Sequence, residues 1–353
     1  MTVSSPVHYR QPAEWAPHHC VWLAWPSDAS LWEDALPAAR VAFVALARGI
    51  ADLDGDGRAR GESLEILVPD ADNETLARES LRGLPVRLHR IPFGDIWMRD
   101  IAPIFVHGRD GATIAAQFRF NGWGGKYVLP HDDAVSASVA RACGLRSVAY
   151  DYVLEGGSVE VDGEGTILTS EQCLLNPNRN PTMDRVAIER ALCEALGGTK
   201  VLWVSEGLIN DHTDGHIDTI ARYVAPGVIA AMEPTDGDDP NAAILRRLID
   251  ELEAQTDAAG RQIRVARIPS PGRVLDEDGE VMPASHLNFY IANTTVIVPT
   301  YGTSSADAAV AAVGKLFPGR RAIGVDAKAI LEGGGAFHCI TQQQPSAPKE
   351  QTR

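Results

Sequence analysis

The hydrophobic pattern of this chain repeats one order of elements: a hairpin of two strands, an amphipathic helix and a further strand. In the first unit, segments 101–107 and 113–121 read as strands joined by the turn HGRDG, and the helix near 133–145 and the strand SVAYDYVL follow. Three further units have the same order, with hairpins at 158–170, at 217–233 and within 285–299. Their helices are expected at 183–197, 241–258 and 305–317. The pattern therefore predicts four ββαβ units, although the residues themselves do not repeat.

A fifth unit forms only if the two ends of the chain are joined. FHCIT (337–341) is predicted to pair with VWLAWP (21–26), which a helix at 36–53 and the strand SLEILVP follow. We therefore expect an α/β fold: a five-bladed ββαβ propeller with pseudo-fivefold symmetry, closed by its N- and C-terminal segments as one domain over 1–353. Such a ring leaves no exposed sheet edges. A two-domain, doubly wound protein is the alternative, but no Gly/Ser/Pro-rich linker marks a boundary and no GxGxxG follows the first strand.

Polar residues occupy the same place in each unit, at or just before the first strand of its hairpin. Equivalent positions of a closed repeat must converge near its axis, so these side chains are expected to meet there. Separately, each has a structural explanation, such as a buried small residue for the cysteine or a turn residue for a carboxylate. Their shared position favours a common functional site. The residues are Asp100, Glu155, His216, Asp218, Asn288 and Cys339.

Local geometry argues against a catalytic role for His338 and against a metal-binding role for His212. Side chains alternate between faces along a strand, so His338 is expected to point away from the face of Cys339 and to have a packing role. His212 and His216 have the spacing of a helical zinc pair, but Gly215 and the β-rich stretch IDTIARYV argue against a helix. We therefore expect neither a metal nor another cofactor.

One thiol, one histidine and several carboxylates suit chemistry on a guanidinium group. Carboxylates match the planar fork of guanidinium N–H donors, and a thiolate can attack the electron-poor carbon of that cation. A histidine can then protonate departing ammonia and activate a water molecule. The glycines at 333–335 would let the backbone come close to a flat ligand. The sequence thus predicts a small cationic guanidine as substrate.

Composition limits the classes of binding partner and the cellular compartments that fit this chain. The 353-residue chain has a formal net charge of −15, which argues against nucleic acid and anionic membrane surfaces as partners. Residues 1–15 lack the basic-then-apolar order of a signal peptide, and no apolar run approaches a membrane span. The 5 scattered cysteines form no CxxC pair, which favours a reducing cytoplasm. The question of a homo-oligomer stays open.

The same motifs resemble the agmatine deiminase family, which includes the Porphyromonas-type peptidylarginine deiminases, within the guanidine-modifying superfamily. The similarity runs through WMRDIAPIFV (97–106), FNGWGG (120–125), LEGGSVEVDGEGTILTSEQCLLNPNRNP (154–181), TDGHID (213–218) and GGGAFHCITQQQP (333–345). The resemblance implies a pentein-like propeller with Cys339 as nucleophile, His216 as acid/base and Glu155 as partner of His216. It also implies that Asp100 and Asp218 bind the guanidinium.

The far end of the substrate is less defined by the sequence. Trp97 and Trp123 are candidates for the rim of the site, together with acidic Asp211 and Asp214. Possible basic anchors for a carboxylate are Arg222 and Lys126. The leading hypothesis is hydrolysis of agmatine to N-carbamoylputrescine and ammonia through a covalent cysteine intermediate. Arginine, peptidylarginine, amidino transfer and a non-catalytic propeller that binds a partner are the alternatives.

Overall fold

A computed structural model describes residues 9–235 and 237–348. Residues 1–8, which are part of the stretch examined above for a signal peptide, lie outside this range, as do 236 and 349–353.

Within the described residues the strands form five sheets, numbered here along the chain. Sheet 1 contains His18–Ala24, Ser63–Val68, Val86–Arg90 and Gln342–Pro345. Sheet 2 contains Ile104–His107, Thr113–Arg119 and Arg146–Val153. Sheet 3 contains Val159–Val161, Thr166–Ser170 and Lys200–Val204. Sheet 4 contains Ala221–Ala225, Val228–Glu233 and Arg264–Pro269. Sheet 5 contains Tyr290–Ile291, Thr295–Thr300 and Arg321–Asp326.

Sheets 2 to 5 have the predicted topology. In each, the first two strands form an antiparallel hairpin and the third strand joins the second in parallel, after a connection that contains a helix. In sheet 4, for example, Ala221 lies opposite Ala231 in the hairpin, and Ala231 lies beside Arg267 in the parallel pair. The helices of two or more turns are Leu36–Ala51, Ala71–Ser80, Asp132–Ala142, Arg185–Leu196, Ala242–Glu253 and Ala306–Leu316. Shorter helices are Ala29–Trp32, Met98–Ile101, Gly122–Gly125, Glu171–Leu174 and Lys328–Leu331, and 3₁₀ turns are Glu33–Ala35, Gly156–Ser158 and Ile217–Thr219.

Sheet 1 joins the two ends of the described chain, as expected, but through a different segment. Residues 337–341, predicted as a strand, form a turn in which the Thr341 amide N–H donates to the His338 carbonyl oxygen at 3.1 Å. The turn is also held by the Thr341 hydroxyl, which donates to the Phe337 carbonyl oxygen at 2.9 Å. The antiparallel partner of His18–Ala24 is instead Gln342–Pro345, with Trp22 opposite Gln342. Cys339 is therefore presented on a turn before a strand.

Helices fill the spaces between sheets. Leu36–Ala51, whose Phe43, Leu46 and Ile50 are buried, packs against strand Thr295–Thr300 of sheet 5. Ala306–Leu316 contacts both its own sheet and strand Arg264–Pro269 of sheet 4. Each amphipathic helix thus buries apolar side chains against neighbouring sheets, which leaves the turns before the hairpins free to form a site. Among the described helices, none combines the length and apolar character needed to cross a membrane.

Candidate active site

Turns that precede strands carry the six predicted residues. Asp100 lies in the one-turn helix before sheet 2, and Glu155 directly precedes the 3₁₀ turn before sheet 3. His216 and Asp218 lie in the turn before sheet 4. Asn288 precedes the first strand of sheet 5, and Cys339 precedes the strand that completes sheet 1. All six side chains are buried.

Gly157 shows how closely three of these side chains approach one another. A Cβ atom built on this glycine would lie 2.6 Å from His216 Nδ1, 3.0 Å from Asp100 Oδ1 and 3.1 Å from Asp218 Oδ2. Its amide N–H donates to Asp100 Oδ1 at 2.9 Å. A histidine and two carboxylates therefore converge where the backbone has no side chain.

Cys339 is held by Asn288 and faces a carboxylate. The Asn288 side-chain amide donates to Cys339 Sγ at 3.1 Å, and its Oδ1 accepts the amide N–H of Cys339 at 3.2 Å. Asp218 Oδ2 lies 3.7 Å from Sγ. Burial, and then the charges of Asp218 and Asp100, raise the pKa of the Cys339 thiol well above its usual range. The thiol therefore carries its proton at neutral pH, and a cation bound beside it would favour its ionisation.

His216 is buried among acidic side chains and a cysteine. Its Nδ1 lies 3.8 Å from Asp100 Oδ1, and neither ring nitrogen has a hydrogen-bond partner among the described residues. Burial by itself lowers the pKa of His216, but Asp100, the Cys173 sulfur and Glu155 outweigh burial and raise this pKa to about 10. The imidazole is therefore protonated at neutral pH and can donate a proton to a leaving group.

Glu155 lies beside His216 and is held from behind by Arg179. Arg179 Nε donates to Glu155 Oε1 at 2.8 Å, whereas the buried Oε2 atom has no partner among the described residues. Ligand atoms of Glu155, Cys173 and His216 all lie within 4.8 Å of one another. The sequence analysis missed both Cys173 and Arg179; the motif NPNRNP, which contains Arg179, was the signal available for the latter.

The cluster of Glu155, Cys173 and His216 is relevant to the prediction that the site holds no metal. Carboxylate, thiolate and imidazole are zinc ligands, so the donor set itself is compatible with a metal. The Arg179 guanidinium, however, already occupies one oxygen of Glu155 and brings a positive charge to it. The metal-free, cofactor-free site stays a prediction.

The two aspartates differ in how they are held. Asp100 Oδ1 accepts the Gly157 amide and its Oδ2 accepts Trp123 Nε1 at 2.9 Å, while burial raises the pKa of this carboxyl group. Asp218 Oδ2 accepts a hydrogen bond from His338 Nδ1 at 2.7 Å, and its buried Oδ1 has no partner among the described residues. Burial alone would raise the pKa of Asp218, but the hydrogen bond from His338 and the positive charges of His338, His216 and Arg222 together outweigh burial, and the pKa is lowered.

The expectation for His338 was wrong. It assumed a strand, in which neighbouring side chains face opposite ways, but residues 337–341 form a turn. His338 and Cys339 therefore both approach Asp218 Oδ2, at 2.7 Å and 3.7 Å. His338 belongs to the surroundings of the site, in addition to packing in the interior.

A cavity of about 240 Å³ leads from Asp100 and Cys339 to the surface. Trp97 and Trp123 line it, as predicted for the rim, whereas Asn288 does not and instead holds the cysteine. The other lining residues are Leu31, Trp32, Asp95, Tyr127, Leu129, His212, Thr213, Glu332, Gly333 and Gly334.

Aromatic walls of this cavity are fixed by a carboxylate that the sequence analysis missed. Buried Asp95 accepts a hydrogen bond from Trp32 Nε1 at 3.0 Å and from Trp97 Nε1 at 2.8 Å. The two indoles stack with ring centroids 6.1 Å apart. The two hydrogen bonds therefore hold the indole rings in place, and their flat faces can contact an alkyl chain or a cation.

The glycine run before Cys339 allows these indoles to approach the backbone. A Cβ atom on Gly333 would lie 2.6 Å from Trp32 Cη2. On Gly335 it would lie 2.7 Å from Trp97 Cζ3 and 3.1 Å from Cys339 Sγ. The glycines thus make room for the walls and for the thiol.

The two basic anchor candidates lie elsewhere. Lys126 Nζ contacts Asp214 Oδ1 at 2.8 Å, and buried Arg222 donates to Glu14 Oε2 at 2.6 Å and also contacts Glu160. Asp211 and Asp214 do not line the cavity either. Its lining contains no Lys or Arg among the described residues, and exposed Glu332 lies at its mouth.

Comparison with known proteins agrees with this geometry. The family of Porphyromonas-type peptidyl-arginine deiminases matches residues 10–345. The chain belongs to this family. Among relatives of this deiminase-family chain, the agmatine deiminase of Ectopseudomonas mendocina is 36% identical, with 96% of each chain covered. The agmatine deiminase of Stutzerimonas stutzeri is also 36% identical, again with 96% of each chain covered.

A solved structure extends the comparison to the fold. The agmatine deiminase of Enterococcus faecalis superimposes on this deiminase-family chain with a TM-score of 0.88 at 32% sequence identity. The match covers 97% of both chains. The resemblance inferred from the sequence motifs and the α/β class are thereby confirmed.

Proposed function

We propose that this protein is an agmatine deiminase, which hydrolyses agmatine to N-carbamoylputrescine and ammonia. The observation that carries this proposal is the cavity, with a thiol and a carboxylate at its deep end, aromatic walls and, among the described residues, no Lys or Arg in its lining. A guanidinium at the deep end and an ammonium near Glu332 match these charges. The relatives named above as agmatine deiminases support the same reaction.

In the first step, Asp100 and Asp218 bind the guanidinium and bring its carbon to Cys339. The positive charge of the substrate lowers the pKa of the thiol, which loses its proton to solvent, and the thiolate attacks that carbon. The His216 imidazolium donates its proton to the departing amine, which leaves as ammonia. The product of this half-reaction is an amidino group bound covalently to Cys339.

In the second step, water replaces the sulfur. Neutral His216 takes a proton from water, the resulting hydroxide attacks the amidino carbon, and the carbon–sulfur bond breaks to release the ureido product and regenerate the cysteine. Glu155, beside His216 and held by Arg179, stabilises the imidazolium that forms. Glu155 thus has the role of a carboxylate that orients and stabilises a histidine base.

Competition between substrates tests the proposal. Purified protein is given agmatine, free arginine and a blocked arginine peptide, and ammonia and ureido product are both measured. We expect kcat/KM for agmatine to exceed that for arginine by about tenfold or more, because a carboxylate would enter an acidic cavity without a cationic partner. A tenfold preference for arginine would overturn the choice of agmatine, and no release from any of the three would overturn deimination.

The remaining features of the proposal concern architecture and setting. We propose that the five sheets are the blades of one propeller domain over 1–353, because each site residue precedes a sheet and the residues meet. The enzyme would act in the cytoplasm without a cofactor, and the net charge of −15 disfavours nucleic acid as a partner.

A further inference from the structure

Asp218 has one oxygen held and one oxygen free. His338 Nδ1 contacts Oδ2 at 2.7 Å, while Oδ1 is buried without a partner among the described residues. A buried carboxylate oxygen without a donor is costly, so the free atom is suited to substrate N–H groups. We infer that His338 is a positioning residue, which fixes Asp218 so that its free oxygen receives the guanidinium. The inference rests on the proposed reaction.

The other side of the imidazole is anchored to the beginning of the described chain. His338 Nε2 contacts Glu14 Oε2 at 2.7 Å. Both ring nitrogens of His338 therefore contact a carboxylate oxygen, one of Asp218 and one of Glu14. His338 thus connects the substrate-binding carboxylate to Glu14, which lies 324 residues earlier in the sequence.

Glu14 is itself a fixed point. Its Oε1 accepts the Ile291 amide N–H at 2.8 Å, and its Oε2 also accepts Arg222 Nη2 at 2.6 Å. Arg222 and His338 lower the pKa of Glu14 well below its usual range, although burial alone would raise it. The anchor is therefore an ionised carboxylate with bonds from two other parts of the chain.

The charges around Asp218 and His338 determine how the loss of His338 would change substrate binding and the pKa of the Cys339 thiol. The Cys339 thiol faces Asp218 and Asp100, which both raise its pKa. Without a donor on Oδ2, Asp218 becomes mobile and its charge is less compensated, so it binds the guanidinium less well and raises the thiol pKa further. The titratable and charged groups that face or surround His338 are Asp218, Glu14, Arg222, Arg99, Glu160, His216 and Cys339.

Two substitutions of His338 separate its contacts. In His338→Asn the side-chain amide lies near the position of Nδ1 and keeps a donor for Asp218 but not for Glu14. In His338→Gln the amide reaches the position of Nε2 and keeps a donor for Glu14 but not for Asp218. The pair is matched in polarity and hydrogen-bonding groups, so thermal unfolding of both variants controls for a general loss of structure.

The first measurement is steady-state kinetics with agmatine. We expect His338→Asn to retain KM within about threefold of the wild type, and His338→Gln to raise KM about tenfold or more, the cost of losing a charge-assisted hydrogen bond. If His338→Asn instead had the higher KM, the contact of His338 with Glu14 would be the important one, and the inference would be overturned. Equal KM values for both variants and the wild type would overturn it as well.

The second measurement does not depend on turnover. The rate of iodoacetamide alkylation at Cys339 is followed by peptide mass analysis as pH is raised, because only the thiolate reacts. We expect the alkylation midpoint to rise in His338→Gln and to stay unchanged in His338→Asn. This result with an inactive wild type would contradict the proposed function alone, whereas unchanged midpoints in an active protein would contradict the inference about His338 alone.

Discussion

The deep end of the cavity and its mouth are built from different kinds of segment. At the deep end, Asp100 and Cys339 come from turns that lead directly into strands, and both are buried and hydrogen-bonded. At the mouth, Leu31 is 44% exposed and Tyr127 45% exposed, and both come from connections between strands. In the proposed mechanism, the reacting groups therefore come from the repeated part of the fold, whereas the groups that would contact the far end of the substrate come from its connections.

One side chain crosses between the two regions. Buried Arg179 donates to Glu155 at the deep end and, through Nη2, to the Thr213 carbonyl oxygen at 2.8 Å, and it pairs with Asp214. Thr213 lines the cavity beside His212. The guanidinium of Arg179 therefore connects the rim of the cavity to Glu155, which lies beside His216.

The largest effect should follow a change at the deep end. We expect Cys339→Ser to lower kcat for agmatine at least about 10⁴-fold, because a serine hydroxyl does not ionise near neutral pH and is a far weaker nucleophile than a thiolate. The ammonia assay measures the loss. Cys193→Ser, on helix Arg185–Leu196 and away from the cavity, is the matched control and should keep wild-type activity. A Cys339→Ser enzyme with a tenth of normal activity would rule out the covalent mechanism.

A second test uses pH. His216 must be protonated to release ammonia, and its pKa is raised to about 10, so kcat/KM should fall as pH rises through 10, by about tenfold per unit. His216→Ala should lower kcat about 10²–10⁴-fold and remove this alkaline decline. Rate profiles of both proteins between neutral pH and pH 11 provide the check. A decline of the same shape in the variant would mean that another group is the acid.

The smallest effect is expected at the mouth. Glu332→Gln should raise KM for agmatine only about twofold to fivefold and leave kcat nearly unchanged, since exposed charge pairs contribute little. Glu277→Gln, which is exposed but does not line the cavity, is the control. If Glu332→Gln changed kcat as strongly as His216→Ala, the division between a catalytic deep end and a binding mouth would be wrong.

The same division explains what the sequence could predict. Cys339, His216 and the carboxylates could be found because each lies just before a strand at the equivalent place of a repeated unit, and the repeat brings such positions together. Ile217–Thr219, which the predicted hairpin at 217–233 placed in a strand, is a 3₁₀ turn, and the side chains of His216 and Asp218 nevertheless both approach Gly157. Position within the repeat was thus more informative than the local conformation.

Other parts of the site have no equivalent in the repeat. Trp32 and Asp95 come from connections, and their pairing depends on a tertiary contact that no spacing along the chain indicates. Arg179 lies in a turn after Glu171–Leu174. His338 was misplaced because FHCIT is as apolar as a strand, although local hydrogen bonds fold it into a turn. Hydrophobic pattern alone cannot distinguish these two outcomes.

The strand that completes sheet 1 gives the site an order of assembly during protein synthesis. The ribosome produces His18–Ala24 early and Gln342–Pro345 after the strands of the other four sheets. Until that last strand emerges, one edge of His18–Ala24 lacks its partner, and such an edge can pair with other chains. In the proposed mechanism the acidic residues of the site are therefore synthesised before the nucleophile Cys339, and the site can be complete only after the strand that completes sheet 1 has been made.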